Sequence, residues 1–268
     1  MKYMHFKASC SYTALAELME AKGVQTEDFA IALEMQLPWL FAKEEDAYLA
    51  GPMLQGAKWF DLWLNPKGYR LSEVSVASED LCAYLRNRHP VMLGVQTPYG
   101  RHAVVCTGYD GQYRFFNPTY EDSGESTELI LSEAELISRV DPSVVVGEVV
   151  PCTQHRHRME PLLQASISVL RENCAEIERF ASEAHAPDAY LPALNRLFRP
   201  LLLDGISMLE LANETTLAQA FLDLQQALMG FMRGPRSNAL CKSFSLDNLR
   251  DLTEAYIRLI RKNGRFAD

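Results

Sequence analysis

The segment His102–Pro118 (HAVVCTGYDGQYRFFNP) restricts the fold more than any other stretch of the chain. An apolar, β-branched run is followed by Asp110-Gly111 and then by QYRFF. Asp-Gly between two such runs is the strongest short-range hairpin signal, because both central residues of a two-residue type I′ turn need positive φ. Folding the ladder back about Asp110-Gly111 carries His102 on one strand toward Asn117 at the end of the other. A His held by an Asn is the orienting half of a nucleophilic triad and lacks only a Cys or Ser.

Six cysteines are scattered through the chain with no CxxC pair. In a reducing compartment such a set reads as mostly buried thiols, not as a disulfide framework. Cys10 stands apart by its setting. Ser9 suits an N-cap, Cys10 falls at the first helical position, and the helix runs through TALAELMEAK to a stop at Gly23. Ala14, Leu15, Leu18 and Met19 form one apolar stripe, so the helix packs into a core with its N-terminus directed at a surface or cleft. A thiol there sits against the positive end of the helix dipole and beside unsatisfied backbone N–H groups. Both effects lower its pKa and supply part of an oxyanion site.

The remaining segments read as an α+β domain followed by an all-α one. A short helix is expected over 25–33 with Thr26 as cap, and an irregular aromatic stretch over 37–70 holds all three tryptophans, Trp39, Trp59 and Trp63. Within that stretch QGAKWFDLWL (55–64) suits an amphipathic helix, and the stretch as a whole is placed to wall a cleft. A helix capped by Ser78 spans 78–88, strands fall at 91–97, 126–132 and 142–150, and SEAELISRV forms a helix. PCTQHRHRMEP (151–161) is a connector; Cys152, His155 and His157 match no common zinc spacing and lack a fourth ligand. Beyond it, apolar stripes such as Leu163, Ile167, Leu170, Cys174 and Ile177 indicate a helical bundle, with a break or kink near Pro200 and Gly205. The expected domains are 1–152, α+β, and 153–268, α-helical.

The net charge of −9 removes the basic field that a nucleic acid or an anionic membrane would require. The first ten residues, MKYMHFKASC, are charged and polar where a signal peptide needs an apolar core, and no apolar run approaches the roughly 18 residues of a bilayer span. The expected setting is cytoplasmic.

Cys10 at a helix start, His102 at a strand start and Asn117 after the neighbouring strand follow the chain order of papain-like enzymes. ASCSYTALAELMEAKGVQTEDFA, then an apolar strand, then HAVVCTGYDGQYRFFNP resembles the papain-like peptidases that trim leader peptides in bacteriocin export. It resembles equally the N-terminal domain of butirosin biosynthesis protein H-like acyltransferases. The likeness covers roughly residues 3–150, and the helical C-terminal part is similar to the latter group. It implies a papain-like fold with Cys10 as nucleophile, His102 as base and Asn117 as orienting residue, with no cofactor. The substrate it implies is a peptide or an acyl-carrier-protein-bound acyl group. A homodimer through the helical domain fits the same picture.

Three positions depart from the leader-peptidase pattern. Residues 1–9 contain no Gln to serve as oxyanion donor, leaving His5, Lys7 or another construction. Ser11 stands where Gly usually follows the Cys, and Asn117 replaces Asp. The departures weigh more against peptide cleavage than against acyl transfer, and they keep open a non-catalytic binding module on the same scaffold.

Overall fold

A computed structural model describes every residue except 1, 7–8, 99, 184–189, 191, 234–244 and 265–268. Its backbone divides into two compact units: residues 1–35 with 55–157, and residues 36–54 with 158–268. The division differs from a single cut after residue 152, because 36–54 groups with the C-terminal helices. That stretch, read from sequence as irregular, contains the antiparallel hairpin β1 (Phe41–Glu44) and β2 (Ala47–Ala50).

Unit 1 is built on two features. The first is α1 (Ser11–Glu20), in which seven residues are buried, a wider apolar surface than the four-residue stripe suggests. The second is a six-stranded antiparallel sheet, ordered β3-β8-β4-β5-β6-β7. Its strands are β3 (Tyr69–Ala77), β4 (Val91–Thr97), β5 (Gly100–Tyr109), β6 (Tyr113–Phe116), β7 (Glu128–Leu131) and β8 (Ser143–Pro151). β3 has no counterpart in the sequence reading; it is an edge strand whose burial does not alternate cleanly, so its period is weak. α2 (Asp28–Glu34) and α3 (Ala57–Leu64) precede the sheet in the chain, while α4 (Ser78–Asn87) and α5 (Glu133–Ser138) lie between its strands.

The helix caps refine the expectations by one residue or so. Cys10 itself is the N-cap of α1, its carbonyl accepting from Ala14 N at 3.0 Å, while Ser9 Oγ accepts from Ser11 N. α2 starts after Glu27, not after Thr26, and Ala77 precedes α4. α5 opens with a complete capping box, Ser132 and Glu135 each bonding the other's backbone N–H. On the α4–α5 face of the sheet, every second residue points inward: Leu93, Val95, Val104, Cys106, Tyr113 and Phe115 are all buried with Leu81 and Leu85.

The β5–β6 turn is not the expected type I′. The loop holds three residues, Asp110 to Gln112, with Tyr109 opposite Tyr113 and only Gly111 at positive φ. A bulge between Cys106 and Gly108 then shifts the register back by one, so that Cys106 faces Phe115 and Val105 faces Phe116. Continued one residue, this register sets Asn117 opposite Val104, on the same side of the sheet as His102. Without the bulge Asn117 would face the other side, because a one-residue slip reverses every side chain.

The connector is not free. Asn65 at the end of α3 holds it: Asn65 Oδ1 accepts from Cys152 Sγ (3.4 Å), Asn65 Nδ2 lies 2.7 Å from His157 Nε2, and Asn65 O accepts from His155 N.

Unit 2 combines the β1–β2 hairpin with α6 (Met159–Ser182), α7 (Gly205–Leu211), α8 (Thr215–Arg233) and α9 (Leu249–Gly264). Leu163, Ile167, Leu170, Cys174 and Ile177 are buried along α6, as their spacing requires. The hairpin joins this unit through polar as well as apolar contacts: Ser166 Oγ bonds both Phe41 N and Phe41 O, and Tyr256 OH donates to Pro38 O at 2.7 Å. Near Pro200 and Gly205 the helix widens instead of breaking, through π-turns at Leu194–Phe198 and Pro200–Asp204. A Cβ on Gly205 would lie 2.9 Å from Pro200 O, so the π-turn needs glycine there. Among the described residues, no helix is long and apolar enough to cross a membrane.

Candidate active site

The sheet edge at which β5 begins meets the N-terminus of α1. His102 Nε2 lies 2.9 Å from Asn117 Oδ1, and Asn117 Nδ2 donates to Ser126 O at 2.8 Å. The second bond turns the Asn117 oxygen toward the ring, so Nε2 carries the proton and Nδ1 is left for the thiol. Ala103 N–H, next to His102 on β5, donates to Cys10 Sγ at 3.0 Å, and Cys10 lines the same depression as the His102 ring. Cys10, His102 and Asn117, the residues expected to converge, line one depression.

The electrostatics of the pair follow from this geometry. Burial pushes the Cys10 thiol up, but the hydrogen bond and charge of His102, with the Ala103 N–H, outweigh it and the thiol ends below its ordinary value. Burial pulls the His102 ring down, but the hydrogen bond and charge of Cys10, then Asn117, leave it above its ordinary value. Opposite shifts on two neighbouring groups favour thiolate and imidazolium together. The other cysteines with a perturbed thiol behave oppositely: burial raises Cys82 and Cys174, and pushes Cys106 up to about 11.

Cys10 lies between two depressions. One, of about 1060 Å³, is lined by His102, Asn117, Thr119, Tyr120 and Glu125. The other, of about 370 Å³, runs along the α1 side of the sheet, over Met92, Gly94, Ala103, Val145 and Gly147. Its far wall is Gln55, Gly56 and Phe60, so 55–60 does wall a cleft while 36–54 belongs to unit 2. Val145 is 48% exposed on this floor, an apolar surface available to a ligand. Gly94 has negative φ, and its missing Cβ makes room for the Arg101 side chain, whose Nε passes where such an atom would press.

Two residues invisible to sequence reasoning enter here. Gln55 Oε1 accepts from Ser11 Oγ at 2.7 Å, and both line the groove with Cys10. No motif spacing ties a Gln 45 positions downstream to a nucleophile, and only the fold brings it there. Glu125 lies on the His102 side and acts on the ring electrostatically. His5, an expected oxyanion donor, is engaged elsewhere: its Nδ1 lies 2.6 Å from Asp28 Oδ1, and it lines neither depression. Lys7 lies outside the described residues. Among the described residues, no three His, Cys, Asp or Glu side chains are grouped to hold a metal ion.

The model of the Peptidase_C39 like family matches residues 2–136, just over half of the chain and the segment that carries all three candidate residues. No curated protein matches the chain.

Proposed function

Since the chain belongs to the Peptidase_C39 like family, whose chemistry is cysteine-peptidase-like in general, we propose that unit 1 is a papain-like cysteine-dependent acyl-transfer site with Cys10 as nucleophile. The observation that carries this reading is the His102 ring, 2.9 Å from Asn117 Oδ1 and in one depression with Cys10, whose sulfur accepts from the adjoining Ala103 N–H.

The steps use only these groups. His102 Nδ1 takes the thiol proton, and the Cys10 sulfur adds to the acyl carbon, forming a C–S bond. The carbonyl oxygen becomes an oxyanion; its donors in this reading are the Cys10 backbone N–H and the Gln55 side-chain amide, the latter oriented by Ser11 Oγ. The bond to the leaving thiol or amine breaks, and the imidazolium returns the proton to that leaving group. An amine or water then attacks the thioester, gives its proton to His102, and releases Cys10.

The groove floor supports an acyl donor over an extended peptide. Its apolar patch of Met92, Ala103 and Val145, in a groove also lined by Glu73 and Arg101, suits an acyl chain, and the departures at residues 1–9 and at Ser11 remove features associated with leader-peptide cleavage. The test is incubation with an acylated carrier protein and, separately, with peptides, followed by mass spectrometry of Cys10. The reading expects an acyl adduct on Cys10 from the thioester and none in Cys10→Ala. Hydrolysed peptide without adduct formation from the thioester would replace acyl transfer by proteolysis, and no reaction with either would leave a binding module.

A further inference from the structure

The reaction above needs a full positive charge on His102, and Asn117 offers that charge only a dipole. The loop after β6 brings a carboxylate to the same cavity. Thr119, buried, places its Oγ1 2.6 Å from Ser123 Oγ and 3.5 Å from Glu125 Oε2, and Glu125 N donates to Ser123 Oγ at 3.1 Å. The next residue, Ser126, accepts the Asn117 side-chain N–H, and Asn117 N donates to Thr127 O at 2.8 Å. One short loop therefore fixes both the orienting amide and the carboxylate on the wall that His102 shares.

We propose that Glu125 is a positioning residue, which, given the acyl-transfer reading, supplies beside the His102–Asn117 pair the negative charge that an Asp at position 117 would carry. Burial opposes the protonated ring, and Glu125 is among the groups, after Cys10 and Asn117, that work in its favour. The other charged or titratable groups lining this depression are Cys10, Tyr120, Glu128, Arg101 and Arg139. Arg101 is offset by Asp141 at 3.8 Å, and Glu128 is engaged by Arg114 at 3.3 Å.

The experiment is an NMR titration of the His102 ring in the full-length protein, with the signal assigned by its loss in His102→Ala. Glu125→Gln keeps the side-chain shape and removes the charge. At about 0.01 M ionic strength the His102 midpoint falls by about 0.3–0.5 pH, and at about 1 M salt most of that difference disappears. Adding Asn117→Asp to Glu125→Gln raises the midpoint again. An unmoved midpoint, a shift that persists in high salt, or a double variant that stays at the Glu125→Gln value overturns the proposal. The acyl adduct on Cys10 tests acyl transfer and the His102 titration tests the role of Glu125, so either can fail alone.

Discussion

Replacing Asn117 by Ala removes the acceptor that His102 Nε2 faces at 2.9 Å, and leaves the Asn117 N to Thr127 O bond in place. A hydrogen bond to a charged partner contributes about 1.5–3 kcal/mol. At about 1.4 kcal/mol per factor of ten, that is roughly a 10- to 100-fold loss in the rate of any step requiring the imidazolium. Folding stability falls by only about 1 kcal/mol, because the amide's other bond, to Ser126 O, is solvent-facing. The assay is the rate of p-nitrophenol release from p-nitrophenyl acetate across pH, with urea unfolding as control. The lowered thiol and the raised imidazole both favour the thiolate–imidazolium pair, and loss of the ring proton closes its pH window on the alkaline side. Burial already pulls the ring down, so losing Asn117 lowers the alkaline edge of that window, and Asn117→Asp raises it. An alanine variant within about twofold of the parent at every pH would refute the orienting role.

Gln55→Ala lowers turnover of the same ester by about 10²-fold or more with KM retained, while iodoacetamide alkylation of Cys10, which develops no oxyanion, keeps its rate. Tyr113→Phe strands the Cys82 carbonyl that the buried phenol reaches at 3.0 Å, and urea unfolding shows a loss of about 1–2 kcal/mol. Asp28, buried, accepts from His5 N, Thr13 Oγ1 and Phe29 N and faces His5 Nδ1. Asp28→Ala therefore costs about 3 kcal/mol by the same measurement.

The meeting of His102 and Asn117 was legible in the sequence for an instructive reason. A two-residue turn without a bulge and a three-residue turn with one lead to the same pairing beyond Cys106, so the wrong turn type still predicts the right neighbours. Cys10 was legible because a helix start is a local pattern, readable to within one residue. Gln55 and Glu125 were not, since each reaches the site through a tertiary contact that leaves no periodicity. The hairpin of 36–54 was hidden for a related cause: its strands have four residues each, too short to show alternation, and its partners, Ser166 and Tyr256, are more than a hundred positions away.

The central claim is that Cys10 and His102 share a proton in the resting protein. It is tested most directly by mapping iodoacetamide alkylation at about pH 6 by mass spectrometry, in the parent and in His102→Ala. The expected result is that Cys10 is modified well ahead of Cys82, Cys106 and Cys174, whose thiols burial raises, and that His102→Ala abolishes the preference. Uniform labelling in the parent, or a Cys10 rate indifferent to His102, would contradict it.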